Sequence, residues 1–313
     1  MPGADTTSRL TSGEQGRRVP LSSTVAVWLA RAAWLVVAIA GGAAVGDALE
    51  ERSRAVQVVG TAGAWLGFGV GAAALAVTGV LTLTLARTVV PGSLIVAATA
   101  IAGGADPGTG IALAAPAIAG TGLVASAEFG RVYLQASAYG DELRFGLRPP
   151  FGYVLASGAT WLITATAVVL APVALAGRVW PLAIPALVVA AAGLVLLPIR
   201  WHQLSRRWLV LVPAGVVVHD PVVLADTLML HRRMIESIAM DDRGIAAQHA
   251  ADLTGPTPGL AIEVRLNEAA TAVLAARPGS PNGTAIHLTA LVVAPTRPGS
   301  ALRAAAARGL PVT

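Results

Sequence analysis

Six apolar runs constrain this chain more than any other feature. They fall at about 25–46, 62–85, 88–105, 110–127, 154–176 and 180–199. Each run has roughly 18 residues or more, and about 20 apolar residues span the hydrocarbon core of a bilayer. The expected architecture is therefore a polytopic helical bundle over residues 21–200. Composition agrees: 55% of the 313 residues are hydrophobic, 12% are charged, and mean hydropathy is +0.69. Soluble domains carry about 25% charged residues. Residues 1–20 are polar and read as a disordered cytoplasmic tail. They are not expected to act as a signal peptide, because polar residues precede the first apolar run.

The break Gly104-Ala-Asp-Pro-Gly-Thr-Gly110 separates runs three and four and reads as a turn. The two runs read as full spans; the alternative is one re-entrant hairpin. Arginine placement sets the orientation. With the N-terminus inside, Arg9, Arg17, Arg18, Arg87, Arg131, Arg144, Arg148, Arg200, Arg206 and Arg207 are cytoplasmic. The outer loops then hold Arg52, Arg54 and Arg178. The expectation is a multi-pass protein of a bacterial plasma membrane with both termini in the cytoplasm.

Small residues mark the spans. Gly63, Gly67 and Gly71 repeat at four-residue spacing, as do Gly42 and Gly46. Such spacing flattens a helix face so that another helix approaches closely. These five are expected helix-packing positions, within an ordinary bundle or at a homo-oligomer seam. Arg31 is the one charge well inside a run, and its side chain is expected to snorkel outward. No run carries a central Asp, Glu or His. Ion-coupled transporters place ionisable groups there, so the pattern favours anchoring over transport.

Between runs four and five, residues 128–152 interleave Tyr133, Tyr139, Phe145, Phe151 and Tyr153 with Arg131, Arg144 and Arg148. The first reading is an interfacial segment, aromatics at headgroup depth and Arg on anionic lipid. The alternative is a docking platform for the C-terminal domain or a partner.

Residues 201–313 read differently. Segments 208–213 and 216–219 form a hairpin around Ala214-Gly215, and 228–231 and 235–240 are short strands. Segments 259–266 and 270–275 are expected to pair as a hairpin across Asn267-Glu268. Residues 285–294 form a longer strand. A helix closes the chain, with Ser300 as its expected N-cap and Gly309 and Pro311 ending it. The fold class is α + β: about six spans, then a small antiparallel β-rich domain with a terminal helix.

Three segments resemble the pleckstrin-homology-like domains of bacterial membrane proteins. They are Arg206-Arg-Trp-Leu-Val-Leu-Val-Pro-Ala-Gly-Val-Val-Val218, His231-Arg-Arg-Met-Ile-Glu-Ser-Ile238 and Leu291-Val-Val-Ala-Pro-Thr-Arg-Pro-Gly-Ser-Ala-Leu-Arg303. The resemblance covers residues 204–310. It implies a domain for lipid-proximal or protein–protein interaction and transfers no binding residues. Arg206, Arg207, Arg232 and Arg233 are expected to share the membrane-proximal edge and meet anionic headgroups or a partner. Arg144 and Arg148 join them from the aromatic loop.

Catalytic chemistry has little foothold. The chain has no Cys, and all 22 basic residues are Arg. That excludes disulfides, thiolate sites, Schiff-base lysines and Walker lysines. His219, His231, His249 and His287, with Asp220, Asp226, Asp241, Asp242 and Glu236, lack metal-ligand spacing. Asp141-Glu142 reads as a solvated pair. No cofactor, metal or nucleic acid is expected. Arg-only basicity with abundant Ala, Gly and Pro suggests a high-GC genome, such as an actinobacterium. The leading reading is a non-enzymatic membrane scaffold or adaptor; the alternative is a transporter or its accessory subunit.

Overall fold

The computed structural model describes residues 21–241, 250–255, 257–276 and 283–313. The tail over 1–20, with Arg9, Arg17 and Arg18, lies outside the described residues, as do Asp242 and His249. The described chain divides into two compact units. One comprises 21–133 with 155–202, the other 134–154 with 203–313.

The helical elements are α1 (Leu21–Leu49), α2 (Arg54–Ala76), α3 (Val80–Val89), α4 (Gly92–Ala102), α5 (Pro107–Ala125), α6 (Ala127–Ala136), α7 (Phe151–Ala176), α8 (Trp180–Leu196) and α9 (Pro198–Ser205). Five stretches are long and apolar enough to cross a membrane: Ser22–Leu49, Arg54–Ala76, Val80–Ala102, Pro107–Ala125 and Phe151–Ala176. Trp180–Leu196 with Pro198–Ser205 makes a sixth when the 43° bend between them is counted within one span. These are the lengths and compositions of a multi-pass membrane protein.

Two helix boundaries depart from hydropathy. The second apolar run, expected over 62–85, straddles a break. Val77 is extended (φ −98°, ψ 123°) and Gly79 is fully extended, so α2 ends at Ala76 and α3 starts at Val80. Val77-Thr78-Gly79 is apolar enough for a hydropathy window to pass over it. The Val80–Ala102 stretch is itself interrupted at Val90-Pro91, since Pro has no N–H for the helical ladder. The Trp161 indole on α7 donates to Thr88 O at 2.9 Å beside this interruption. At the start of α5, Asp106 Oδ1 accepts from Gly108 N at 2.8 Å, and Pro107 occupies the first helical position.

Arg31 is engaged inside the bundle. Its Nε donates to Leu75 O at 2.9 Å and an Nη to Ala76 O at 3.3 Å. These carbonyls end α2, where a cation meets the negative pole of the helix dipole. Tyr133 Oη adds a bond to Ala74 O at 3.0 Å. Arg87 repeats the device at the end of α5, donating from Nε to Val124 O at 3.1 Å.

The expected packing glycines separate into two kinds. A methyl group built at Gly42, Gly46, Gly63 or Gly67 meets nothing within 4 Å. At Gly71 it would come within 2.3 Å of the Trp34 ring. Trp34 is 5% exposed, stacks on Phe68 at 5.8 Å and donates to Phe68 O at 3.1 Å. Gly71 thus seats α1 on α2. Gly193 does the same for α8 on α7, where an added methyl would lie 2.4 Å from Thr164 Oγ1. Gly71→Ala is expected to cost about 1–3 kcal/mol through overpacking. Gly63→Ala and Gly67→Ala should leave the melting temperature of the detergent-solubilised monomer within a few degrees of wild type. Equal losses at all three positions would contradict this assignment.

In the second unit, β1 (Leu143–Gly146), β2 (Trp208–Val212), β3 (Gly215–His219) and β4 (Leu228–His231) form one antiparallel sheet in that order. The other sheet has the order β5-β7-β8-β6, from β5 (Ile235–Asp241), β6 (Ala251–Asp252), β7 (Ala261–Leu274) and β8 (Thr284–Val293). A closing helix, α10, spans Pro298–Ala307. Alternation places Leu143, Phe145, Leu209, Leu211, Val216 and Val218 on the inner face of the first sheet. Ile238, Ile262, Val264, Leu291 and Val293 from the second sheet, with Ala301 and Ala305 of α10, complete the same core.

Two local expectations change. Segments 259–266 and 270–275 are not a hairpin: β7 runs through both and pairs with β8 on either side of an irregularity between Arg265 and Ala270. Asn267-Glu268 sits in that bulge, where polar residues relieve a twisted strand. The closing helix begins earlier than Ser300. Arg297 is its N-cap and Pro298 lies in its first turn, a position suited to a residue without an N–H.

Strand β1 comes from the loop between α6 and α7. Its far side is tied as well: Arg148 N donates to Ala294 O at 2.8 Å and Thr296 N to Gly146 O at 2.8 Å. The aromatic loop is therefore built into the β unit, where Leu143, Phe145 and Leu147 are core residues.

Candidate functional site

The six arginines nominated from sequence do not form one cluster. In the β2–β3 ladder Trp208 faces His219, and in the β3–β4 ladder Gly215 faces His231. Arg206 and Arg207 precede Trp208, whereas Arg232 and Arg233 follow His231. The two pairs sit at opposite ends of a five-residue strand, about 15 Å apart at a rise of 3.4 Å per residue. By this register the two pairs are not one cluster.

Most of these charges are also in use. Arg207 is 2% exposed. Its Nε and Nη2 grip both Asp220 oxygens at 2.7 and 2.6 Å, and Nη1 donates to Arg148 O at 2.8 Å. Asp220 is equally buried and accepts from Val222 N at 3.1 Å. This bidentate pair joins β2, β3 and the end of β1 internally, so Arg207 is unavailable to headgroups. The signal was present in the sequence. Arg207 is in phase with inward Leu209 and Leu211, and Asp220 with inward Val216 and Val218.

Arg232 donates to Arg308 O at 2.5 Å, capping the C-terminus of α10. Arg308 in turn pairs with Asp141 at 2.8 Å, so Asp141 is no merely solvated residue. Arg148 bonds to Leu260 O through Nη2. Arg144 pairs with Glu142 at 2.9 Å and lies over the Trp208 ring at 5.1 Å. Arg206 and Arg233 are exposed.

The outer face of the first sheet carries a second polar grouping. Arg144, Trp208 and His219 stack in a row, with Trp208 and His219 ring centroids 4.8 Å apart. His219 Nδ1 lies 2.9 Å from Thr227 Oγ1, while its buried Nε2 has no hydrogen-bond partner among the described residues. Burial pushes the His219 imidazole below its ordinary value. The Arg206 charge adds to this, Asp220 opposes it, and Arg144 contributes a further lowering. The native imidazole is neutral at pH 7.

A pH dependence follows. With the folded value below the unfolded one of about 6.5, the unfolded chain binds the proton first as pH falls. Stability is therefore lost from pH of about 6.5 downward, until the folded imidazole also protonates. His219→Gln should flatten the thermal stability profile below pH of about 6.5 relative to wild type. Parallel profiles for the two proteins would contradict it.

His287 approaches Thr271 Oγ1 at 3.0 Å on the exposed β7–β8 ribbon, far along the chain from His219. Among the described residues, no group of three or more His, Asp or Glu is arranged to hold a metal ion.

No family model matches this chain, and neither a curated protein nor a solved structure matches it.

Proposed function

We propose that this chain is a membrane scaffold or adaptor whose β unit docks a protein partner close to the bilayer. In this reading the helices span a bacterial plasma membrane, both termini are cytoplasmic, and the β unit is a pleckstrin-homology-like module. The observation that carries it is the placement of β1. Only residues 147–150 separate β1 from α7, and only 206–207 separate α9 from β2. Four extended residues reach at most about 14 Å. The chain therefore ties β1 to the first residue of α7 through four residues and β2 to the last residue of α9 through two.

A protein partner is the favoured occupant because the nominated arginines are dispersed and four of the six are hydrogen-bonded within the β unit. A broad anionic surface gains about 1 kcal/mol for each basic residue near it, which requires free cations gathered on one face. Arg144, Trp208 and exposed Tyr139 are instead the residue types that anchor protein interfaces. The resemblance to pleckstrin-homology-like domains is carried by the segments 206–218, 231–238 and 291–303, and two sheets sharing one core with a closing helix are compatible with it.

Affinity capture from native membranes tests the reading. Three forms are compared: the full chain, a form lacking 204–313, and a form in which 139–148 is replaced by a Gly-Ser linker. A specific partner should be lost from both altered forms, because both remove part of one unit. A partner held equally by the form lacking 204–313 would overturn it.

A further inference from the structure

Residues 254–255 and 257–260 lie against the residues that lead into α7. No charge falls between Asp252 and Glu263. The base of this turn is rigid. Leu253 is 1% exposed within the core, and Thr254 and Thr257 are 3% and 2% exposed. Asp252 Oδ1 accepts from Thr254 N at 2.8 Å and from Thr254 Oγ1 at 2.6 Å, and Thr257 Oγ1 donates to Thr254 O at 2.9 Å. The tip is the reverse: Pro258, Gly259 and Leu260 are exposed, Leu260 by 49%.

The position of this tip is set by contacts within the β unit. Arg148 donates to Leu260 O. Gly255 lies against the Pro150 ring, so close that an added methyl would come within 2.8 Å of it. Phe151 and Tyr153 follow at once at the head of α7, exposed by 57% and 52%. Arg148 and Pro150, just ahead of an apolar helix of 26 residues, thus hold the turn. Aromatic residues at the ends of spans lie at headgroup depth.

We infer that the 258–260 tip dips into the bilayer interface alongside Phe151 and Tyr153, making a second, non-covalent attachment of the β unit to the membrane. The occupant of this surface is lipid, since the patch adjoins the point where α7 enters the apolar phase. An uncharged Pro-Gly-Leu tip has nothing to offer an ionic partner. Arg148 holds the backbone of the turn and leaves its guanidinium at headgroup level. This inference rests on the reading that α7 spans a membrane.

The absence of native cysteine makes the test clean. Single cysteines at Leu260→Cys and Pro258→Cys carry an environment-sensitive dye in the full chain, reconstituted into phosphatidylcholine–phosphatidylglycerol vesicles. Glu268→Cys, on the exposed bulge of β7, is the aqueous reference, and Leu162→Cys, exposed on α7, is the lipid reference. Dyes at 258 and 260 should be quenched by nitroxide lipids labelled near the headgroup and several-fold less by iodide than the dye at 268. If they respond to iodide as position 268 does while position 162 senses lipid, the tip inference fails alone. If position 162 is also open to iodide, the membrane reading fails with it.

Discussion

Residues 204–313 produced alone are expected not to fold. The fragment contains β2 to β8 and the closing helix, but it lacks β1. Leu143, Phe145 and Leu147 are 5%, 4% and 6% exposed and belong to the shared core. Burying a large apolar side chain contributes about 1.5–3 kcal/mol, so the loss of three removes about 4.5–9 kcal/mol. A whole domain is stable by only about 5–15 kcal/mol. Removing β1 also strips the β2 backbone of its partners from Trp208 to Leu211 and Arg207 of its bond to Arg148 O. The remedy is built into the register. β1 and β2 are antiparallel, and Leu147 N donates to Arg207 O at 3.0 Å. Residues 141–148 joined through a short Gly-rich turn to 206–313 should therefore restore a cooperative thermal transition by circular dichroism. An equal, cooperative transition for 204–313 alone would contradict the role given to β1.

Asp220→Ala should destabilise the β unit by about 3–5 kcal/mol, lowering its melting temperature by roughly 10–20 °C. The cause is the charge left behind. Arg207 would remain at 2% exposure with neither carboxylate oxygen to meet it. The pair itself need not be strongly stabilising, because desolvating two ions offsets much of their attraction. A double variant, Arg207→Met with Asp220→Leu, is therefore expected to recover most or all of the loss. A double variant as unstable as Asp220→Ala would show that the pair has a net stabilising role beyond charge balance. Arg206→Ala, one residue away and exposed, should change stability by less than about 0.5 kcal/mol.

How legible the fold was depended on the range over which each feature is encoded. The helices of 21–200 announced themselves through long apolar runs, each a local property. Strands β2, β3, β4, β5 and β8 were visible as short alternating segments between turns. The α2–α3 break was not, because Val77-Thr78-Gly79 keeps hydropathy high while the backbone leaves the helix. The β7 bulge was misread for a related reason: Asn267-Glu268 has turn chemistry, and only the pairing of both flanks with β8 shows that the chain continues straight.

The candidate site was legible only in part. Trp208, His219 and Arg144 lie in segments already marked, yet Trp208 follows Arg144 by 64 positions in sequence, and no local pattern joins them. The glycine repeat at 63, 67 and 71 was conspicuous, but one of the three meets a neighbour. Spacing shows that a face is flat and leaves open what approaches it.

By itself, the sequence determined that this chain carries apolar helices of membrane-spanning length and a β-rich end with a terminal helix. Both follow from periodicities that a few consecutive residues encode. Tertiary structure alone decided that a strand from between the helices completes the β unit. It also decided which arginines are spent inside that unit. Strand pairing and ion pairing are settled by closure of one core from segments distant in the chain, and four residues such as Leu143-Arg-Phe-Gly146 carry no address for their partner. The six long apolar runs thus frame the molecule, while the short polar loop between the fourth and fifth of them holds its second unit together.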